Sequence, residues 1–228
     1  MKKEDLEQKL QIQLSRVTHI KSCLEIWKGL HAEFSSEAEN NAVFQESPYF
    51  WNMVLKTFQE NFLLGVAKLY DENSDSLGLR KTINICEQNQ SLFPTEHQRK
   101  LYDHFGKKEI VNVVPVDIVA TIKSANDCYN SVQEFRSKLI TIRDKYLAHS
   151  DKKYAENPAL LYEEFSLKWE DFEKLIFVAQ KILNGFLTAL IDMRVSTTHG
   201  DRDDYKHLLQ ATCIGIKERK KKYQKNHS

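Results

Sequence analysis

From Leu6 to Phe34 the apolar residues return every third or fourth position: Leu6, Leu10, Leu14, Val17, Ile20, Leu24, Trp27, Leu30 and Phe34. A repeat of that period puts all of them on one stripe of a helix, with charged residues on the other faces. The segment from about Lys3 to Phe34 therefore reads as one long amphipathic helix whose stripe must be covered. The pattern recurs. Ser47-Pro48 supplies a cap and a proline at the first helical position. Trp51, Val54, Leu55, Phe58, Phe62, Val66 and Leu69 follow, apolar on two sides, which predicts the most buried helix of the chain. Val119, Ile122, Ala125, Tyr129, Val132, Phe135, Leu139, Ile142 and Tyr146 predict a third long helix from Pro115 to about Leu147. Phe172, Leu175, Ile176, Ala179, Leu183, Phe186, Leu187 and Leu190 predict a fourth, capped by Ser166, with Asp171 and Glu173 at the positive end of its dipole. Tyr205, Leu208, Leu209, Thr212 and Ile216 mark a last amphipathic helix.

Between these lie shorter stretches. Leu77 to Phe93 and Thr95 to Phe105 read as short helices punctuated by Pro94 and Gly106. The β-branched run Val111 to Val114 meets Pro115 at once and reads as extended connection. Glycine and proline total only 11 of 228 residues, too few for the many tight turns of a sandwich or barrel. The expected fold class is all-α, a helical bundle of four long helices with shorter ones inserted. The expected organisation is a bundle over residues 1–193 and a C-terminal amphipathic helix with a basic tail over 194–228.

No apolar run reaches the length of a membrane span, and Met1-Lys2-Lys3-Glu4-Asp5 leads into charge rather than a signal core. Cys23, Cys86, Cys128 and Cys213 are far apart, with no Cys-x-x-Cys pair, and read as buried thiols of a reducing compartment. A cytoplasmic protein without a membrane partner is expected. The net charge of +1 conceals an asymmetry: Lys217 to Lys225 carries six basic residues and one acid, a local +5, and the rest of the chain sums to −4. A broadly basic surface is thus excluded, and any nucleic-acid contact must be local.

Glycine-rich phosphate loops, His-Glu-x-x-His and Gly-x-Ser-x-Gly are absent. Attention falls on arginine and histidine. The spacing that the resemblance described below implies, an Arg and then a His after four to six intervening residues, occurs four times: Arg99 to His104, Arg143 to His149, Arg194 to His199, and Arg202 to His207. With eight of each residue in the chain, about one such pair arises by chance, so spacing alone does not choose. Position does. Arg143 to His149 closes a long amphipathic helix and has an acid directly after the arginine. On an unbroken helix six residues leave two side chains about 120° apart, so the helix must fray near Leu147 for them to converge. An Arg and a His at a helix C-terminus also serve simply to satisfy the last carbonyls and the dipole.

The stretch Ile142-Arg143-Asp144-Lys145-Tyr146-Leu147-Ala148-His149-Ser150-Asp151 resembles the signature of the HEPN superfamily, in particular its abortive-infection U-type branch. The helix order agrees as far as Met193: a helix ending in Leu69-Tyr70-Asp71, shorter helices, a long motif-bearing helix, then a helix opening near Trp169. The resemblance implies an HEPN-like bundle and metal-independent RNA cleavage, with no cofactor and no metal. A 2′-hydroxyl attacks the adjacent phosphate. Histidine suits the proton transfers and arginine the developing charge. The implied catalytic residues are Arg143 and His149, with Asp144 orienting one of them. Tyr146, expected in the core, and Asp151 are supporting neighbours. The resemblance also implies RNA as partner, a homodimer with a composite site, and an antitoxin partner. The alternative is a catalytically inactive module that binds a protein or nucleic acid. Some HEPN toxins are silenced by nucleotide transfer to a tyrosine two residues after the motif histidine; Asp151 stands there, so the chain departs from that pattern.

Two clusters remain. His199, Asp201, Asp203, Asp204 and His207 have metal-ligand chemistry but read more simply as loop and first-turn residues. Lys217, Arg219, Lys220, Lys221 and Lys222 are the candidate nucleic-acid contacts, holding phosphates in a salt-dependent way.

Overall fold

The computed structural model describes residues 1–36, 38–73, 76–95, 97–102, 108–113, 116–144, 167–192 and 204–225. Among them are eight helices and one two-stranded ribbon: α1 (Lys3–Ser36), α2 (Ala38–Glu46), α3 (Pro48–Leu69), α4 (Leu79–Gln88), a 3-10 turn (Gln90–Leu92), β1 (His97–Tyr102), β2 (Lys108–Val113), α5 (Ile118–Asn130), α6 (Gln133–Ile142), α7 (Trp169–Ile191) and α8 (Asp204–Lys225). The architecture is all-α, as the periodicity requires. The ribbon is the local departure. Thr95 to Phe105 was expected to be helical, yet β1 pairs antiparallel with β2, His97 opposite Val113 and Tyr102 opposite Lys108.

The helices pack as two units: Met1–His19 with Leu63–Ser196, and Ile20–Phe62 with Thr197–Ser228. The first unit is built around α7. Twelve of its residues are buried, including all eight of the expected stripe. This corrects the expectation that α3 is the most buried helix, because Tyr49, Phe50 and Met53 of α3 are exposed. By length and composition α7 is apolar enough to cross a membrane, but its apolar side chains are spent on this core. Lys168, not Ser166, precedes its first turn, and the Lys168 N–H donates to Asp171 Oδ2 at 2.8 Å. Leu6, Leu10, Leu14 and Val17 of α1 are also buried in this unit, as are Leu79, Ile83 and Cys86 of α4.

The second unit gathers Leu30, Val43, Trp51, Leu209 and Ile216, with Phe34, Phe44, Phe58 and Tyr205 packed against them. Phe34 and Trp51 meet edge to face at 5.2 Å.

The expected third long helix is broken. After Asn130 the chain leaves helical geometry at Val132 (φ −113°, ψ 18°) before α6 begins. The Ser131 hydroxyl donates to the Cys128 carbonyl at 2.7 Å, while Val132 is fully buried. A hydroxyl bonding back to the preceding turn, next to a residue drawn into the core, accounts for the break. Val119, expected on the buried stripe, is exposed. All four cysteines are free thiols; Cys23 and Cys86 are buried, Cys128 and Cys213 half-buried. Burial pushes the Cys86 thiol up to about 12, so it is an inert packing group.

One glycine positions the site. Gly78 precedes α4, and a Cβ there would collide with the Asp71 carbonyl oxygen and lie 3.3 Å from that of Leu69. Backbone cannot swing aside as a side-chain tip can. Gly78→Ala is expected to cost about 1–3 kcal/mol as an overpacked contact. Gly215, in the middle of α8 with open space around it, is the control: Gly215→Ala should gain up to about 1 kcal/mol. Urea unfolding of the two variants reads both signs.

Candidate functional site

α3 ends at Leu69, and the next four residues form a tight loop. Tyr70 is buried and its hydroxyl donates to the Leu175 carbonyl of α7 at 2.7 Å. The Asn73 N–H donates to Asp71 Oδ1 at 3.2 Å and the Ser76 hydroxyl to the Asp71 carbonyl at 3.2 Å. The loop is thus pinned at its start by the core and along its length by its own hydrogen bonds. It presents two consecutive carboxylates, Asp71 and Glu72.

Each carboxylate takes one arginine from the α6 segment. Arg136 and Arg143 are seven residues apart, two turns along one face. Arg143 Nη1 lies 3.2 Å from Asp71 Oδ2. Its Nε donates to Asp144 Oδ1 at 2.7 Å, and its Nη2 is 2.7 Å from the same oxygen. The Arg143 side chain is about one-fifth exposed. Burial alone would lower its affinity for the proton; the hydrogen bond and charge of Asp144, then of Asp71, outweigh burial and hold it above its ordinary value. Arg143 is a permanent cation. If each contact uses one hydrogen, the described residues take three of its five N–H groups.

Glu72 organises the neighbouring network. The Tyr129 hydroxyl donates to Glu72 Oε1 at 2.9 Å, and Arg136 Nη1 donates to the same oxygen at 2.7 Å. Arg136 and Arg80 stand over the Tyr129 ring at 3.8 and 4.2 Å, a cation–π arrangement on both counts. Arg80 continues to Asn126 Oδ1 at 2.6 Å and Asn130 Oδ1 at 3.2 Å. Burial, with the hydrogen bond to Glu72, pushes the Tyr129 phenol up to about 12. The Tyr129 and Arg136 hydrogen bonds hold the Glu72 carboxyl below its usual range.

A depressed carboxylate stabilises the fold above its unfolded pKa of about 4.3, and that contribution fades as pH falls through the lower folded value. Glu72→Gln should therefore lose less stability than the wild type on going from pH 5 down through the acid range. Urea midpoints measured across that range check the slope.

Of the expected site residues, the structure places Arg143 and Asp144 together just beyond α6, in a wide π-type turn. It adds Asp71 as the second carboxylate on Arg143. His149, Tyr146 and Asp151 lie outside the described residues. Among the competing pairs, Arg99 is on strand β1, not on a helix. His207 is exposed in the first turns of α8, whereas His104, Arg194, His199 and Arg202 lie outside the described residues. Asp204 opens α8, as a first-turn acid should. In the basic tail, Arg219 is ion-paired with Glu46 and Lys221 with Glu218 at 2.9 Å. Lys217, Lys220 and Lys222 are exposed on α8.

A helix-end arginine followed by an acid, carried on an all-α scaffold, is the arrangement of the HEPN class. The chain belongs to the AbiU2 family of HEPN-type abortive-infection proteins, whose profile, HEPN_AbiU2, matches residues 3–208. The match continues past Met193, where the resemblance read from the motif was expected to stop, and takes in the start of α8. Searches of curated proteins and of solved structures found no match.

Proposed function

We propose that this abortive-infection HEPN protein is a metal-independent endoribonuclease of a defence or toxin–antitoxin system, working in the cytoplasm. The observation that carries the reading is the Arg143 guanidinium, clamped by Asp71 and Asp144 six residues before His149, with two N–H groups that the described residues do not use. In the reaction the RNA 2′-oxygen attacks phosphorus, its proton passes to a base, and the bond to the 5′-oxygen breaks as an acid protonates that oxygen. The products are a 2′,3′-cyclic phosphate and a 5′-hydroxyl. Arg143 meets the charge that grows on the phosphoryl oxygens. One histidine per chain supplies one proton-transfer group. A two-fold homodimer, adding His149 of the partner subunit, supplies both. An antitoxin would act by covering Arg143 and its neighbours, and the α8 cations Lys217, Lys220 and Lys222 would steer RNA as accessories.

A second reading draws on the same clamp. Two carboxylates against one guanidinium leave the cluster formally at −1, which suits a structural brace in a non-cleaving module that binds a protein or nucleic acid. Cleavage of RNA in EDTA separates the two. The wild type yields cyclic-phosphate ends and Arg143→Ala does not; wild type without cleavage, or equal cleavage by both, removes the enzymatic reading.

A further inference from the structure

An open groove of about 370 Å³ runs between the 70–73 loop and one face of α6. It is lined by Tyr70, Asp71, Glu72, Asn73, Gln133, Arg136, Ser137 and Ile140. Asp71 belongs both to this lining and to the Arg143 ion pair, so the groove opens beside the proposed reaction centre. Its size is at the lower end of small-ligand pockets, roughly 300–1,000 Å³, enough for one flat ring and not for a duplex.

The lining chooses the chemistry. The one cation among the described lining residues, Arg136, is already paired with Glu72 and stacked on Tyr129, which leaves little to attract a phosphate. Asn73 and Gln133 offer neutral donors and acceptors, the Ser137 hydroxyl, which donates to the Gln133 carbonyl at 3.0 Å, offers an acceptor, and Ile140 adds an apolar side chain. A neutral ring with donors and acceptors at its edge matches these side chains in chemistry.

We propose that this groove is the base-recognition subsite for a nucleotide flanking the cleaved bond. The proposal rests on the endoribonuclease reading for its placement, but its test does not need cleavage. Four homopolymeric RNA oligonucleotides, one per base and 2′-O-methylated so that they cannot be cut, are bound to the full chain and followed by fluorescence anisotropy. The wild type should prefer one base by about tenfold, the worth of a well-read base edge. Gln133→Ala with Ser137→Ala, two exposed positions whose loss spares the core, should bring the four affinities to within about twofold of each other. Ser137→Trp, which fills the groove, should do the same. Equal affinities in the wild type, or an unchanged preference in the variants, overturn the subsite. A base preference without cleavage of unmodified RNA leaves the subsite standing and removes the endoribonuclease reading; cleavage without a base preference does the reverse.

Discussion

Phe186→Ala is expected to lower the stability of the fold by about 3–5 kcal/mol, the usual cost of emptying a fully buried aromatic site. Phe186 has no exposed surface, and Leu183, Leu187 and Leu190 around it on α7 are equally enclosed. The Phe93 ring packs against it at 6.5 Å. No neighbour can collapse into the space without leaving its own contacts, because interiors are packed as densely as crystals. Against a total stability of about 5–15 kcal/mol, such a loss is a large share. Phe177, on the outer face of the same helix and 63% exposed, is the control: Phe177→Ala should stay within about 0.5 kcal/mol. Urea unfolding followed by helical circular dichroism reads both, with the Phe186 variant shifted in midpoint at an unchanged slope.

The helices were legible wherever an apolar stripe faces one core. Eight of the nine stripe residues named for α1 are buried and Phe34 is half-buried, because a 3.6-residue period and one-sided burial are the same fact seen twice. The start at Ser47-Pro48 was legible for a local reason, a cap and a fixed φ. The break at Ser131-Val132 was not, since it depends on Val132 being taken into the core, and the stripe continues through it without a skip. The ribbon was not legible either. His97-Gln98-Arg99-Lys100-Leu101-Tyr102 is mostly polar, with no clear alternation; what makes it a strand is a partner segment that pattern within the stretch does not reveal. The ranking of α3 over α7 failed because an apolar composition on two sides does not say whether both sides are covered.

At the site, the adjacency of Arg143 and Asp144 could be read directly. Asp71 could be placed only as the residue after a helix end, since 72 positions separate it from Arg143 and nothing in the spacing joins them. The Glu72, Tyr129, Arg136 and Arg80 network was missed for the same reason. Its one sequence trace is the heptad interval between Arg136 and Arg143, which puts the two arginines on one helix face.

Arg143→Ala is expected to reduce RNA cleavage by about 10²–10³-fold, the loss seen when a preorganised donor to a developing oxyanion is removed. Arg143→Lys should recover little of it. A single ammonium has no planar fork with which to hold Asp71 and Asp144 while presenting N–H groups to a phosphate. Asp71→Asn keeps the shape and one acceptor but drops the charge, so a smaller fall, about tenfold, is expected from loosened positioning. If Asp71 acts only through Arg143, adding Asp71→Asn to Arg143→Ala should cost nothing more, and a double-mutant cycle measures that directly. The pH profile supplies the independent sign. Arg143 is held above its ordinary value by Asp144 and Asp71, so it contributes no limb near neutrality. On the proposed mechanism, both limbs would come from the histidines of the paired site. Arg143→Ala should therefore lower the plateau without moving either limb, while His149→Ala should abolish the bell itself.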